Sequence, residues 1–252
     1  MGDSRKNPSA KDIKILFSKA AGRCSFRDCR KNIVLDTDDD GSINQIGQIA
    51  HIVAHSSKGP RGDENYTDKE LNCYDNYILL CPTCHKIVDE QPEKYSVDVL
   101  RKIKTEHENW VSDQLEISVA KVDFAELEIA AKAISSGENF EGSDYTVISP
   151  EEKILKNGLG KRSRRLISMG LCGSGEVSKY LSEMSKLDPD FPDRLKNGFK
   201  KKYLELNREF SGDDLFMEML THFQGAEHDF GQDAARLVIL THMFEICEVF
   251  EK

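Results

Sequence analysis

Two pairs of cysteines and three scattered polar residues carry the chemistry of this sequence. Cys24 and Cys29 form one pair, and Cys81 and Cys84 form another. Zinc prefers four sulfur ligands in a tetrahedron, and a close pair offers two of them from a single turn. One ion held by both pairs would staple the end of an N-terminal helix to the start of a later one. Four protein ligands leave no open position, so such a site is structural rather than catalytic. The bland alternative is four free core cysteines.

A second set interleaves with the first. His51 closes the strand-like run Gly47-Gln48-Ile49-Ala50-His51, Asn76 opens the apolar run Tyr77-Ile78-Leu79-Leu80, and His85 follows Cys84 directly. Taken singly, these are a core histidine, a turn residue and a spare zinc ligand. Their combination, in this order and interleaved with the cysteines, is far more specific than any one of them, and the spacing suggests a zinc-stapled site that can also hold a catalytic metal. Asp89 lies one helical turn beyond His85 and shares its face. The loop Ser56–Asp63 carries Lys58 and Arg61, two cations placed to touch phosphates or simply solvated in a turn. His55 can assist His51 or be a loop histidine.

These residues need elements to hold them. Ser9-Ala10-Lys11-Asp12 resembles a capping box with a short acid, and Ile13, Leu16, Phe17, Ala20 and Ala21 follow at helical spacing up to Gly22. Asp36–Gly41 reads as an acidic hairpin tip and Ile43–Ala54 as one strand. Helices are expected from Cys84 to Glu90 and from Ser96 to about Glu116; the second would pack His107 and Trp110 back onto the metal-bearing segment. Arg23, Arg27, Arg30, Lys31, Arg101, Lys102 and Lys104 are either a DNA-facing patch or solvated faces. Composition shifts to Gly, Ser and acid over Ser135–Asp144, a linker signature. The expected organisation is residues 1–122, then a connecting helix (Asp123–Ala133) and linker over 123–145, then 146–252. The last part begins at Ser149-Pro150-Glu151-Glu152, a strong helix start, and reads as a bundle of four to five helices. One face of its last helix carries Leu237, Leu240, Phe244, Cys247 and Phe250. The fold class is α+β, a zinc-stapled N-terminal domain followed by an all-α one.

Composition sets bounds. The chain has 252 residues, a net charge of −9 and 38% hydrophobic residues, enough for real cores but wrong in sign for a general nucleic-acid coat protein. A local basic patch can still bind phosphate on an acidic protein. The opening residues lack the apolar core of a secretory signal, and no apolar run is long enough to span a bilayer, so a cytoplasmic protein without membrane partners is expected. In a reducing compartment, paired cysteines are more often metal ligands than disulfides.

The combination Ala50-His51-Ile52, Asn76 to Cys81 and Cys84-His85-Lys86-Ile87-Val88-Asp89 resembles the HNH (His-Me finger, ββα-metal) endonucleases in their zinc-containing form. The resemblance covers roughly residues 10 to 115. It implies that His51 is the general base, that Asn76 holds and orients it, and that His85 ligates a catalytic divalent metal such as Mg²⁺. Many members carry Asp or His just before the base as a further ligand. This chain has Ala50, which leaves His85, water, phosphate and Asp89. Gly59-Pro60-Arg61-Gly62-Asp63 resembles the nucleases used as effectors in bacterial anti-phage systems. The C-terminal half, through Phe191-Pro192-Asp193-Arg194-Leu195 and the ending Phe244 to Lys252, resembles effector subunits of ABC-three-component (Lamassu-like) defence systems. That implies docking to an SMC-like ABC ATPase and a small middle subunit and restraint until foreign or aberrant DNA is sensed; a homo-oligomer on activation is compatible with this, and the sequence does not fix the oligomeric state. Two alternatives stay open: an effector switched by a cyclic oligonucleotide, as in CBASS, and a non-catalytic zinc module that binds DNA or protein.

Overall fold

The computed structural model describes residues 8–36, 43–134, 148–223, 229–246 and 249–250. The expected linker, most of the acidic turn and Cys247 lie outside these. The described chain is mostly helical, with two small antiparallel sheets, an α+β protein. It divides into two compact units, with the boundary between Asp113 and Gln114.

Unit 1 begins with α1 (Ala10–Ala20). Ser9 Oγ accepts the Asp12 N–H at 3.0 Å, as a capping residue should. The helix stops because Ala21 (φ 48°) and Gly22 (φ 57°) turn left-handed, and the Gly22 N–H reaches back to the Phe17 carbonyl. Strands β1 (Val34–Asp36) and β2 (Ile43–Gln45) pair with each other, and β3 (Gln48–His51) pairs with β4 (Tyr77–Leu80). The single strand expected over Ile43–Ala54 is therefore two strands with different partners. The break is at Ile46-Gly47, whose N–H groups both donate to the Ile33 carbonyl, at 2.9 and 3.1 Å. Gly47 allows it, since a Cβ there would sit 2.6 Å from Ile33 Cδ1.

A short helix α2 (Asp68–Leu71) and a 3-10 turn (Tyr74–Asn76) lead into β4, and α3 (Pro82–Glu90) follows at once. β4 is buried along its whole length. α1, α3 and β3 all pack on it, so it is the spine of the unit. The sequence of elements that carries the candidate residues is thus strand, strand, helix. α4 (Val97–Val119) closes the unit and runs on past the boundary. Its His107 donates from Nε2 to the Ala20 carbonyl (3.1 Å) and stacks on Trp110, the packing role expected of both.

Unit 2 holds the end of α4 together with α5 (Phe124–Ile134), α6 (Pro150–Lys156), α7 (Lys161–Leu171), α8 (Ser174–Leu187), α9 (Phe191–Leu206), α10 (Gly212–His222) and α11 (Phe230–Glu245). α5 is not a connector. Its Leu127, Ala130 and Ala131 are core residues packed on α11, α9 and α8. Nor is α11 one-faced, because every residue from Ala234 to Phe244 is buried. A helix buried all round belongs at the centre of its unit, and α5, α7, α8, α9 and α10 pack around this one. Gly170 on α7 permits one close crossing: a Cβ there would lie 2.5 Å from Thr241 Oγ1. Phe250 folds back onto Phe244, Phe216 and Tyr203.

At the start of α8, Ser174 Oγ lies 2.8 Å from His242 Nδ1 and donates to the Glu245 carboxylate. Burial holds His242 below the ordinary histidine value, against the opposing pull of Glu245. Between that lowered value and about 6.5, the unfolded chain binds a proton that the folded chain does not. Unit 2 should therefore be most stable above pH 6.5 and lose stability as pH falls through this window. The expected result is a denaturation midpoint, followed by far-ultraviolet circular dichroism, that drops less between pH 7 and pH 5 in His242→Gln than in wild type. Parallel pH profiles would show that His242 contributes nothing.

Candidate functional site

The four cysteines converge. The chain after α1 forms a knuckle in which the Cys29 and Arg30 N–H groups both donate to the Phe26 carbonyl at 3.0 Å, and Arg30 is left-handed (φ 46°). The Ser25 N–H donates to the Leu79 carbonyl at 2.9 Å, which ties the knuckle to β4. Cys81 caps α3, its Sγ accepting the Cys84 N–H at 3.4 Å with Pro82 in the first turn. All four sulfurs lie within 4.8 Å of one another. Cys29 and Cys81 are 3.8 Å apart, about the edge of a tetrahedron with Zn–S bonds of roughly 2.3 Å.

These four residues can hold a metal ion such as zinc, and their electrostatics fit one. Burial pushes the Cys24 thiol up to about 11. It raises Cys84 further, with the neighbouring Cys24 sulfur adding to the effect. Burial also acts upward on Cys81, but hydrogen bonds from the Cys84 N–H and the adjoining thiols outweigh it and leave Cys81 below the usual value. Four sulfurs this close and this buried disfavour negative charge unless a cation replaces their protons.

Of the remaining candidates, His51, His55, Arg61, His85 and Asp89 line one cleft of about 600 Å³ in unit 1, and Asn76 and Lys58 are not part of its lining. His51 stands at the end of β3, opposite Tyr77, with ring centroids 5.0 Å apart and edge to face. Asn76 is buried and grips the chain just beyond His51. Its Oδ1 accepts the Val53 N–H at 2.8 Å, and its Nδ2 donates to the Val53 and Leu71 carbonyls at 3.0 Å each. Asn76→Ala strands these buried groups, at about 1–3 kcal/mol each. It should destabilise unit 1 by roughly 2–5 kcal/mol, read as a shifted denaturation midpoint in the fluorescence of Trp110. A wild-type midpoint would remove Asn76 from any anchoring role.

His85 and Asp89 face each other across one turn of α3, with Nε2 and Oδ2 3.3 Å apart. Gln48 Oε1 meets His85 Nδ1 at 2.6 Å. Gln48 opens β3, and nothing in the sequence alone sets it apart as a partner of His85. Ala50 is 1% exposed and packs in the core, so the residue of β3 that reaches His85 is Gln48.

Several expected cations are used otherwise. Arg61 is not an open phosphate contact. Its Nε donates to the Ile52 carbonyl at 2.9 Å, and one terminal nitrogen donates to the Val88 carbonyl at 2.7 Å. The other meets Asp89 Oδ1 at 2.8 Å, and the side chain is 4% exposed. Lys104 is buried too: it donates to the Tyr74 carbonyl beneath that ring, and burial lowers it to about 8. Arg30 lies 3.7 Å over the Trp110 ring. Lys58 is exposed, as are Arg27, Lys31, Arg101 and Lys102.

Comparison with known proteins leaves the site to be read from its geometry: no family model matches the chain, and no curated protein does. No described helix is long and apolar enough to cross a membrane.

Proposed function

We propose that this chain is a metal-dependent DNA endonuclease of the HNH kind, with structural zinc on Cys24, Cys29, Cys81 and Cys84. The observation that carries this reading is the cleft that His51, His85 and Asp89 share, between β3 with the loop that follows it and α3. His51 takes a proton from water, and the resulting hydroxide attacks phosphorus while the sugar oxygen leaves. Asn76 keeps the His51 segment in register. The Gln48 oxygen favours the proton on His85 Nδ1, which leaves Nε2 as the lone pair beside Asp89. The 3.3 Å between Nε2 and Oδ2 suits two adjacent ligands of a small divalent cation with bonds of about 2.1 Å. Bound there, Mg²⁺ would neutralise the scissile phosphate and the leaving oxygen. Lys58, exposed on the loop beyond His51, is a candidate for a phosphate contact.

The reading extends to a role as effector of a bacterial anti-phage complex. Its helical unit 2 would be restrained there by an SMC-like ABC ATPase and a small middle subunit; the sequence resemblance supports this extension. A second reading is a zinc-stapled module that binds without cutting. One observation favours it: among the described residues, only the four cysteines bring three or more metal-ligating side chains together. Plasmid cleavage in Mg²⁺ or Mn²⁺, with His51→Ala as control, separates the two.

A further inference from the structure

We infer that Arg61 is a positioning residue that fixes the distance between the base and the metal-binding helix, an inference that rests on the nuclease reading. Its guanidinium is nearly out of solvent, with the side chain 4% exposed. It spends its planar fork on three points in two elements. The Ile52 carbonyl belongs to the residue after His51, and the Val88 carbonyl and Asp89 Oδ1 belong to the last turns of α3. One rigid group thus joins the segment that carries His51 to the helix that carries His85. It also holds one oxygen of Asp89, which leaves the other toward His85 Nε2 at 3.3 Å.

The loop is shaped to make this possible. Arg61 is left-handed at φ 59°, a conformation unfavourable for a residue with a side chain. Gly62 beside it has no room for a Cβ, which would sit 2.5 Å from the Ser56 and Ser57 carbonyls. A strained backbone and a desolvated charge are a costly way to tie down a loop. They make sense where angles matter, because only arginine offers several donors in one fixed plane.

Arg61→Lys keeps the charge and loses the fork. The expected result is a fall of at least tenfold in kcat for plasmid cleavage with KM changed less than threefold, while zinc content and cooperative unfolding stay as in wild type. A readout without any variant is available as well. In wild-type protein carrying ¹⁵N-labelled arginine and histidine, Mg²⁺ titration should shift the Arg61 side-chain signals with the same midpoint as the His85 ring signals. This second measurement decides the matter if Arg61→Lys does not fold. Arg61 signals indifferent to an ion that moves His85, or an Arg61→Lys enzyme with wild-type kcat, would overturn the proposal alone. Wild-type protein that neither cuts nor shows a His85 response to Mg²⁺ or Mn²⁺ would overturn the nuclease reading, and this proposal with it.

Discussion

If the four cysteines hold zinc, as proposed, removing it should unfold unit 1 and leave unit 2 folded. The two cysteine pairs join the exit of α1 to the entry of α3, segments far apart in the chain, and both Cys24 and Cys84 are core residues. Structural zinc sites contribute about 10–16 kcal/mol of apparent binding free energy at pH 7 in zinc-finger peptides. The total stability of a domain is about 5–15 kcal/mol. Loss of the ion therefore exceeds what the small core around β4 can absorb. Trp110 is the only tryptophan, and it packs on His107 and Arg30 within unit 1. Its fluorescence reports on unit 1, while circular dichroism follows mostly the helices of unit 2. A chelator strong enough to remove zinc should shift the Trp110 emission to the red and abolish its cooperative transition, with most helical signal retained. Cys84→Ser should do the same without chelator. Metal-free protein with native Trp110 emission and an unchanged midpoint would show that the cysteines are ordinary core residues.

The cysteine pairs were legible because ligand spacing is a local property, and so were the caps at Ser9 and Ser149, each of which accepts the N–H three residues on. The order of His51, Asn76 and His85 among those pairs was enough to bring His51 and His85 to one cleft, since β3 and β4 pair directly and α3 follows β4 at once. What stayed hidden depends on distant partners. Nothing near Gly47 announces that the Ile33 carbonyl will take two N–H groups and split a strand. Arg61 lies among Gly, Pro and charged residues, a composition that reads as solvated loop. Its burial arises from carbonyls at Ile52 and Val88 that only the folded unit brings near. Lys104 sits in a charged helical run and is buried because Tyr74 lies above it. α5 reads as a connector in the sequence because its apolar residues find their main partner only in α11, far along the chain and buried all round.

His51→Ala should lower plasmid cleavage by about a thousandfold, within the 10²–10⁴ that a positioned general base contributes. The substitution deletes the imidazole at the strand end and leaves the Asn76 bonds to Val53 and Leu71 in place. Zinc content and the Trp110 transition should accordingly stay near wild type. That separates loss of chemistry from loss of fold. His85→Ala should fail differently. It removes the side chain that faces both Gln48 and Asp89, so part of its defect should be recovered at raised Mn²⁺, whereas no metal concentration restores His51→Ala. The contrast follows from the division of labour that the nuclease reading proposes for the cleft, in which one histidine would move a proton and the other would hold charge near the phosphate. Cleavage that survives His51→Ala would place the base elsewhere, with His55, whose ring centroid is 6.4 Å away, as the next residue to replace. Wild-type protein that binds DNA but never cuts it, in either metal, would favour the zinc-stapled binding module, and would be consistent with Ala50 lying in the core where the resemblance leads one to expect a ligand.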